Sequence, residues 1–189
     1  MVNLATPAPP LGFQTARLQV RRYVLADATR LHEAATESVE TVFPFLPWCH
    51  PAYTLRESRD WIRTLAPAWE AGHTFGFAIY EREGKRFLGG CGLNRIDDHP
   101  VANLGYWLRT SATGNGFATE ATLGLASFAL SQLDIERVEI IMSVANTASK
   151  RVAERAGAVF EGKLRKRLRL HGECHDAFLY SLTRTDILG

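Results

Sequence analysis

The residues best suited to chemistry in this sequence lie in a glycine-rich turn, Thr113-Gly114-Asn115-Gly116. A strand-like stretch precedes the turn, and a long apolar helix follows it at once. Two glycines one residue apart let the backbone approach a ligand without interference from a Cβ atom. The N–H groups of Phe117, Ala118 and Thr119 open the helix and find no partner within it. Free donors at the positive end of a helix favour an anion, so the turn predicts a phosphate or pyrophosphate site.

The same turn could simply cap the helix, and a Gly-x-Gly pair alone favours that structural role. A Walker loop is excluded, because Phe117-Ala118 stands where that motif needs Lys-Ser/Thr. A dinucleotide fingerprint needs a third glycine, where Thr119 stands, and an acidic residue at the end of the next strand. Glu139 lies near the start of that strand instead. If the turn binds a phosphate, it does so in a third way.

A second segment runs from a predicted strand, RVEIIMSVA, into Asn146-Thr147-Ala148-Ser149 and a short helix that Gly157 closes. Asn146 is a good N-cap residue, and Ser149 shares a helix face with Val152 and Ala153. Periodicity alone does not separate a capped structural helix from a functional one.

Composition limits the classes of protein that the chain can belong to. Its 189 residues suit one domain, which we place at residues 11–189 after a loose proline-containing arm at 1–10. Hydrophobic residues make up 46% and charged residues 22%, which excludes a disordered chain or a disulfide scaffold. The net charge of +2 does not call for nucleic acid or a membrane surface. Three scattered cysteines and the lack of a signal peptide or apolar span predict a soluble cytoplasmic protein.

The elements that must position these motifs follow the order β α α β β β α β α β β, which predicts an α+β chain around one mixed sheet. Thr54 and Glu57 form a capping box that opens the second helix. The three elements that follow this helix are short strands joined by turns, so they should be antiparallel. The predicted strands are 17–23, 74–81, 87–96, 103–108, 137–145, 160–170 and 176–182, and the other helices are 27–37, 116–133 and 148–155.

Together these segments resemble a Gcn5-related N-acetyltransferase (GNAT) of the RimJ/RimL type, over about residues 11–187. The matching motifs, in chain order, are Leu46-Pro47-Trp48; Gly105-Tyr106-Trp107-Leu108; Gly114-x-Gly116-Phe117-Ala118-Thr119-Glu120-Ala121; Asn146-x-x-Ser149 through Gly157; and Glu161-Gly162-x-Leu164-Arg165, Gly172-Glu173, Asp176 and Tyr180-Ser181-Leu182.

The resemblance implies a three-layer acyl-CoA N-acyltransferase fold. Its mixed, mostly antiparallel sheet would have about seven strands and about four flanking helices, with strands 103–108 and 137–145 as a splayed central parallel pair. Acetyl-CoA would be the cosubstrate, and no metal is implied. The residues assigned to it are Trp107, Leu108 and Arg109 for the pantetheine; Gly114, Asn115, Gly116, Phe117, Ala118 and Thr119 for the pyrophosphate; and Asn146, Ser149 and Arg155 in the second motif.

For catalysis we expect Ser149, with Asn146 beside it, to reprotonate the leaving sulfur, and the Leu108 N–H to stabilise the oxyanion. Asn103 stands where relatives often carry a glutamate base. Because side chains alternate along a strand, Glu139 lies on the other face from Met142, whose face is expected to carry the site. Glu139 is therefore interpreted as a solvated residue. The proton of the amine would then be removed by water, or the amine would react in the fraction that is already deprotonated in solution. His50, His99 and Asp97 are weaker candidates for a relay, since an exposed loop residue is the simpler interpretation.

The acceptor cleft is predicted at the proline-rich aromatic loop, with Phe45, Trp48 and His50 as substrate contacts, whereas Trp69 is expected in the core. The expected reaction is acetylation of a primary amine, first the N-terminal α-amine of a ribosomal-type protein. The alternatives are a small amine (a polyamine, antibiotic or aminoacyl nucleotide) or a CoA-binding module with little catalysis. Relatives are commonly homodimers, and we expect no direct contact with nucleic acid or membrane.

A basic strand, Arg165–Arg169, is typical of a protected sheet edge. His171, Cys174 and His175 lack a fourth zinc ligand, so no zinc site is expected there.

Overall fold

Eight strands form a single mixed sheet in the computed structural model, which describes residues 10–96 and 99–188. The strands are β1 (Gly12–Gln14), β2 (Leu18–Arg22), β3 (Thr74–Glu81), β4 (Phe87–Arg95), β5 (Val101–Leu108), β6 (Arg137–Ser143), β7 (Val159–Leu170) and β8 (Glu173–Thr183). Their order across the sheet is β1-β2-β3-β4-β5-β6-β8-β7. All neighbours are antiparallel except β5 and β6, which confirms the predicted central parallel pair.

Helices cover both faces of this sheet. They are α1 (Ala28–Glu37), α2 (Val39–Val42), α3 (Leu55–Glu70), α4 (Phe117–Gln132), α5 (Thr147–Arg155) and α6 (Arg184–Leu188), with short 3-10 turns at Leu25–Asp27 and Thr110–Ala112. Helix α4 packs on the face that carries Val138, Ile140 and Met142. Helices α1 and α3 pack on the opposite face, against Ala78 and Tyr80. We call these the α4 face and the α1–α3 face.

Local capping explains where the two helices nearest the candidate site begin. Thr54 Oγ1 accepts a hydrogen bond from the Glu57 N–H at 3.3 Å, and the Glu57 carboxylate accepts one from the Thr54 N–H at 2.9 Å. The Asn146 side chain accepts from the Ser149 N–H at 3.0 Å and so starts α5. Both predicted caps are confirmed, and each satisfies an N–H group that a helix start would otherwise leave free.

Strands β5 and β6 separate soon after they meet. They pair only at Val101–Arg137, Ala102–Val138 and Asn103–Glu139. Strand β5 then continues to Leu108 and β6 to Ser143 without pairing with each other, so a wedge-shaped gap opens between them. The predicted splay is therefore confirmed, and it places free backbone groups at the centre of the sheet.

Other predictions concern the ends of the fold. Strand β7 is an edge strand, as its basic sequence predicted, and Trp69 is 6% exposed in the core. The arm predicted at 1–10 falls almost entirely outside the described residues, as does Asp97. Within the described chain, no helix combines the length and the apolar character needed to cross a membrane.

Candidate active site

The backbone of β5 offers hydrogen-bonding groups to the wedge between β5 and β6. The Arg109 N–H, just beyond the strand, donates to the Leu88 carbonyl of β4 at 2.8 Å. Because backbone groups alternate along an antiparallel strand, those of Trp107 also point to β4, and those of Tyr106 and Leu108 point into the wedge. The Leu108 N–H is thus oriented as the expected oxyanion role requires.

Arg109 does not have the free backbone that the expected pantetheine contact requires. Its N–H donates to the Leu88 carbonyl, and its own carbonyl accepts a hydrogen bond from the Ala112 N–H at 2.9 Å. Its guanidinium instead forms an ion pair with Glu37 at the end of α1, with Nε 2.9 Å from the carboxylate. Hydrogen bonds from Arg109 and Ser111 lower the pKa of Glu37 to about 2. Arg109 therefore anchors the segment between β5 and the glycine-rich turn.

The glycine-rich turn has the geometry expected of an anion site. Gly114 and Gly116 have φ angles of +81° and +78°, which side-chain-bearing residues rarely adopt. A Cβ at Gly114 would meet nothing within 4 Å, so a ligand can approach the backbone there. Gly116 caps α4 without a side-chain bond, which leaves the N–H groups of Phe117–Thr119 to the exterior. Asn115 braces the turn through its amide, 3.1 Å from the Thr113 carbonyl.

Arg17 brings a positive charge to this turn, and sequence reasoning missed it. Its Nη1 donates to the Asn115 carbonyl at 3.0 Å, and its guanidinium lies 4.7 Å from the centre of the Phe117 ring. Glu120 holds Arg17 in place, with its carboxylate 2.7 Å from Nε. Burial alone would raise the pKa of Glu120, but hydrogen bonds from Thr15 and Arg17 lower it below its ordinary value. The contact spans 103 residues in sequence, so no local pattern predicts it.

Ser149 lies at the other side of the wedge, in contact with β5. Its Oγ is 2.9 Å from the phenolic oxygen of Tyr106, a partner that the sequence did not indicate. Burial raises the pKa of Tyr106 to about 12, so this group stays protonated at neutral pH. Asn146 is occupied by its capping bond to the Ser149 N–H, and Arg155 is exposed at the end of α5.

A cavity of about 490 Å³ opens on the α1–α3 face beside β5. Trp48 and His50 line it as expected, but Leu46 rather than Phe45 is the third lining residue from that part of the loop. His50 Nε2 lies 2.9 Å from the Glu57 carboxylate, which also belongs to the lining. The remaining lining residues are Tyr23, Leu31, Tyr53, Trp61, Leu65, Thr74, Gly76, Gly90, Cys91, Gly92, Asn94, Gly105, Tyr106 and Trp107.

Aromatic rings form one wall of this cavity. Trp48 meets Trp107 edge to face, with ring centres 5.2 Å apart, and meets Tyr53 at 5.4 Å. Trp61 packs in the same way against Tyr23 at 5.0 Å. The backbone of Trp107 was expected to bind the pantetheine, yet its side chain belongs to this wall on the α1–α3 face.

The floor of the cavity is a row of glycines on three adjacent strands. Gly76 of β3 is directly opposite Gly92 of β4, and Gly92 is directly opposite Gly105 of β5. A Cβ at Gly76 would lie 2.9 Å from Leu65, and one at Gly92 would lie 3.0 Å from the Phe75 carbonyl. A Cβ at Gly105 would meet nothing within 4 Å. Only Gly105 therefore leaves open space above the sheet.

A row of polar residues crosses the sheet next to the glycines. Thr74, Asn94, Asn103 and Glu139 are successive partners on β3, β4, β5 and β6. Thr74 donates to the Asn94 side chain at 3.1 Å. The buried Asn103 Oδ1 has no hydrogen-bond partner among the described residues. Asn103 therefore has an acceptor available beside the point where β5 and β6 separate.

The interpretation of Glu139 as a solvated residue is wrong. Its side chain is 17% exposed and accepts a hydrogen bond from Arg137 Nε at 2.9 Å. Strand parity was read correctly, but the cavity opens on the Asn103 face, whereas Met142 is buried on the α4 face. Glu139 is therefore a carboxylate on the cavity side of the wedge.

Two other histidines considered in the sequence lie outside the cavity lining. His171 Nε2 is 3.0 Å from the Phe43 carbonyl, and His99 is exposed in the β4–β5 connection. The described residues contain no group of three or more His, Cys, Asp or Glu side chains arranged to hold a metal ion.

Comparison with known proteins identifies the family. The acetyltransferase (GNAT) domain model matches residues 17–159. The putative ribosomal N-acetyltransferase YdaF of Bacillus subtilis is 31% identical over 168 residues, which cover 85% of this chain and 87% of YdaF.

Solved structures share the fold. The ribosomal α-N-protein acetyltransferase RimL in complex with coenzyme A has a TM-score of 0.81 at 23% identity, covering 92% of this chain and 96% of RimL. The self-immunity acetyltransferase MccE in complex with acetyl-CoA and AMP has a TM-score of 0.84 at 24% identity, covering 93% and 98%. The resemblance carried by the sequence motifs is confirmed: the chain belongs to the GNAT family of acetyltransferases and is an N-acetyltransferase enzyme.

Proposed function

We propose that this enzyme transfers the acetyl group of acetyl-CoA to the N-terminal α-amine of a protein of the ribosomal type. One arrangement carries the proposal. The wedge and the glycine-rich turn lie on one side of β5, and a separate cavity opens beside β5 on the α1–α3 face. A thioester and an amine could therefore meet at β5 from different sides. YdaF and RimL, which resemble this chain in sequence and in structure, are named for acceptors of this class, and this supports the proposal.

The residues present fit acetyl-CoA. The N–H groups of Phe117–Thr119 and the Arg17 guanidinium suit the pyrophosphate, since both are donors at the positive end of α4. The open side of β5, with the Leu108 N–H, suits the amide groups of the pantetheine. Asn146 and Arg155, at the start and at the end of α5, are also assigned to the cosubstrate. When bound, the cosubstrate supplies a thioester whose carbonyl carbon accepts the amine.

The acceptor amine must lose its proton to react, and Glu139 is placed to receive it. An α-amino group titrates near ~8, so a modest base suffices. The Glu139 carboxylate lies on the cavity side, directly across from Asn103. Asn103 Oδ1 can accept a hydrogen bond from the amine, and Glu139 can take the proton through a water. This role replaces the sequence-based expectation of a reaction without a side-chain base.

Two groups on the chain would assist the departure of the thiolate. The Leu108 N–H points into the wedge, where it can stabilise negative charge on the carbonyl oxygen. The Ser149 hydroxyl can give its proton to the sulfur. Tyr106 orients that hydroxyl from 2.9 Å and can replace the proton that Ser149 gives up.

A small primary amine is the second candidate for the acceptor. The cavity of about 490 Å³ falls within the ~300–1,000 Å³ range of small-molecule sites. MccE, a structural neighbour, was solved with acetyl-CoA and AMP. The two candidates differ in whether the acceptor extends out of the cavity as a polypeptide.

Two measurements test the proposed function. Calorimetry should detect acetyl-CoA binding, and the absence of binding at roughly hundreds of micromolar would overturn the proposal. Mass spectrometry should then show a single acetyl group on the α-amine of model peptides, beside a panel of small amines. Acetylation confined to the small amines would replace the protein acceptor with the second candidate.

We also propose that the enzyme works in the cytoplasm as a homodimer. Val159 and Phe160 are 52% and 51% exposed at the start of the edge strand β7, an apolar surface that a second copy could cover. Light scattering on the purified chain measures the mass directly, and a monomer at micromolar concentration would contradict the dimer.

A further inference from the structure

We propose that the cavity on the α1–α3 face selects an acceptor with one amine joined to a large apolar or aromatic group. For a protein substrate, this means a first residue such as phenylalanine, tryptophan or leucine rather than serine or alanine. The inference rests on the proposed function, because it assumes that this cavity receives the acceptor.

The size of the cavity is the first argument. An apolar cavity of about 150 Å³ already holds benzene. The cavity here, at about 490 Å³, has roughly three times that volume. A serine or alanine side chain would leave most of this space filled with water against apolar walls, which forgoes the free energy of burying apolar surface.

The floor is the second argument, because its space is available to a ligand. At Gly76 and Gly92 the space that a side chain would occupy is already taken by neighbouring protein atoms, which lie 2.9 and 3.0 Å from the Cβ position. Gly105 has an ordinary negative φ and no atom within 4 Å of its Cβ position. The absence of a side chain at Gly105 therefore makes room for something outside the chain.

The wall is the third argument. Trp48 and Trp61 are 36% and 41% exposed, large values for residues of their size. Both line the cavity together with Tyr53 and Trp107. Aromatic rings prefer edge-to-face or offset contacts with another ring, and such contacts add to the gain from burial. An apolar or aromatic group on the acceptor would cover the exposed tryptophan rings.

The charge of the lining is the fourth argument. Among the described residues that line the cavity, the one carboxylate is Glu57. It already contacts His50 and the start of α3. A polyamine would bring several ammonium groups and leave most of them without a partner, which is costly away from water. An acceptor with a single amine, directed past the lining at Asn103 and Glu139 on the same face of the sheet, needs no further carboxylate in the cavity.

Steady-state kinetics on matched acceptors tests the selection. Peptides that differ only in the first residue (Phe, Leu, Ala or Ser) are compared with phenethylamine and spermidine at saturating acetyl-CoA. We expect kcat/KM to be at least tenfold higher for the Phe peptide than for the Ser peptide, since a single methylene in an apolar pocket already discriminates by roughly 10–200-fold. We also expect phenethylamine to exceed spermidine by a similar factor.

The outcomes separate this inference from the proposed function. A preference for the Ser or Ala peptide, or for spermidine, overturns the inference while an acetylated peptide still supports the proposed function. Acetylation of phenethylamine but of none of the peptides supports the inference and contradicts a protein acceptor. Tryptophan fluorescence gives a readout apart from turnover: phenylalanine amide should quench it with higher affinity than serine amide, and equal or absent binding overturns the inference.

A variant of the floor tests the assigned place. Gly105→Val puts a side chain into the open space, where its Cβ would meet no atom within 4 Å, and should reduce kcat/KM for the Phe peptide at least tenfold more than for the Ser peptide. Gly84→Val, in the β3–β4 turn, is the matched control, because a Cβ there meets only the flexible Glu81 carboxylate. Equal losses on both peptides, with acetyl-CoA affinity retained in calorimetry, would show that Gly105 does not make room for the acceptor.

Discussion

Ser149 is the residue at which position and chemistry can be separated most cleanly. Its N–H helps to start α5 by donating to Asn146, and its hydroxyl contacts Tyr106. Replacing the side chain leaves the backbone N–H, so the helix cap survives. The hydroxyl can thus be tested alone for the proton-donating role proposed for it.

Ser149→Ala should lower kcat about 10²-fold, because loss of a general acid typically costs 10²–10⁴-fold. The dissociation constant of acetyl-CoA should change by less than about twofold, since the hydroxyl acts on the departing sulfur. Stopped-assay turnover and calorimetry measure the two quantities. Tyr106→Phe should give a smaller loss, as it removes the partner but keeps the donor. Unchanged turnover in Ser149→Ala would leave Ser149 as a helix residue only.

Glu139→Gln should lower kcat/KM at pH 7 by about 10–100-fold, because the amine then loses its proton receiver. The remaining activity should rise with pH as the α-amine itself loses its proton near ~8. A pH profile of kcat/KM checks both points. Glu161→Gln is the matched control, since Glu161 binds the same Arg137 from β7. Equal effects of the two variants would mean that Arg137, rather than a base at Glu139, explains the loss.

The sequence indicated the proposed role of Ser149 but not that of Glu139, and the reason is physical. Ser149 lies in a local motif, three residues after its cap. The role of Glu139 depends on which face of the sheet carries the cavity, and this depends on the pairing of Glu139 with Asn103 and of Gly92 with Gly105. Parity within one strand fixes which residues share a face, but it does not say what covers that face.

At the level of elements, the parts with local signals were predicted closely. Strand β3 was placed at its observed residues, and α4 and α5 within one residue at each end. Strand β1 and helix α2, of three and four residues, were missed because such short elements depend on tertiary contacts. Gly12, for example, lies against Arg21 of β2 so closely that a Cβ would clash.

The contact between the β1–β2 turn and α4 gives a prediction at this scale. Arg17→Ala removes a cation from the glycine-rich turn and leaves Glu120 uncompensated there. We expect the dissociation constant of acetyl-CoA to rise roughly fivefold to tenfold, a moderate effect because the Arg17 side chain is 50% exposed. Calorimetry at two salt concentrations measures it, and salt should weaken binding less in the variant than in the wild type.

Two matched variants show whether the charge of Arg17 is responsible. Arg17→Lys should recover part of the affinity. Arg82→Ala, beside Arg17 on an exposed turn and 3.3 Å from the Thr15 carbonyl, should have little effect. An unchanged affinity in Arg17→Ala would assign Arg17 to the packing of the turn instead.

Across the described part of the molecule, four of the carboxylates with a lowered pKa join segments that are distant in sequence. Asp27 binds Arg21 and Tyr80, Glu37 binds Arg109, Glu120 binds Arg17, and Glu161 binds Arg137 and Ser181. The pKa of each of the four is lowered. For Asp27 and Glu120, burial opposes this shift and the hydrogen bonds outweigh it. For Glu37 and Glu161, hydrogen bonds from arginine lower the pKa to about 2.

These shifts predict how the free energy of unfolding depends on pH. A carboxylate whose pKa is lower in the folded state stabilises the fold fully above its unfolded pKa. That contribution disappears as the pH falls to the folded pKa, because protonation breaks the ion pair. For Glu37 the interval runs from 4.5 to about 2. We therefore expect the urea midpoint to stay nearly constant from about pH 7 to about 5.5 and to fall steadily below about pH 4.5.

Glu37→Gln isolates one of these four contributions. At pH 7 the variant should have a lower urea midpoint than the wild type, because Arg109 and the Ser111 N–H lose a charged partner. Near pH 2.5 the difference between the two midpoints should shrink to a minor part of its value at pH 7, since most of the contribution of Glu37 is lost between pH 4.5 and about 2. Glu83→Gln, in the exposed β3–β4 turn, should follow the wild type throughout. A constant difference between Glu37→Gln and wild type across this range would mean that packing, and not the charge of Glu37, holds the end of β5 to α1.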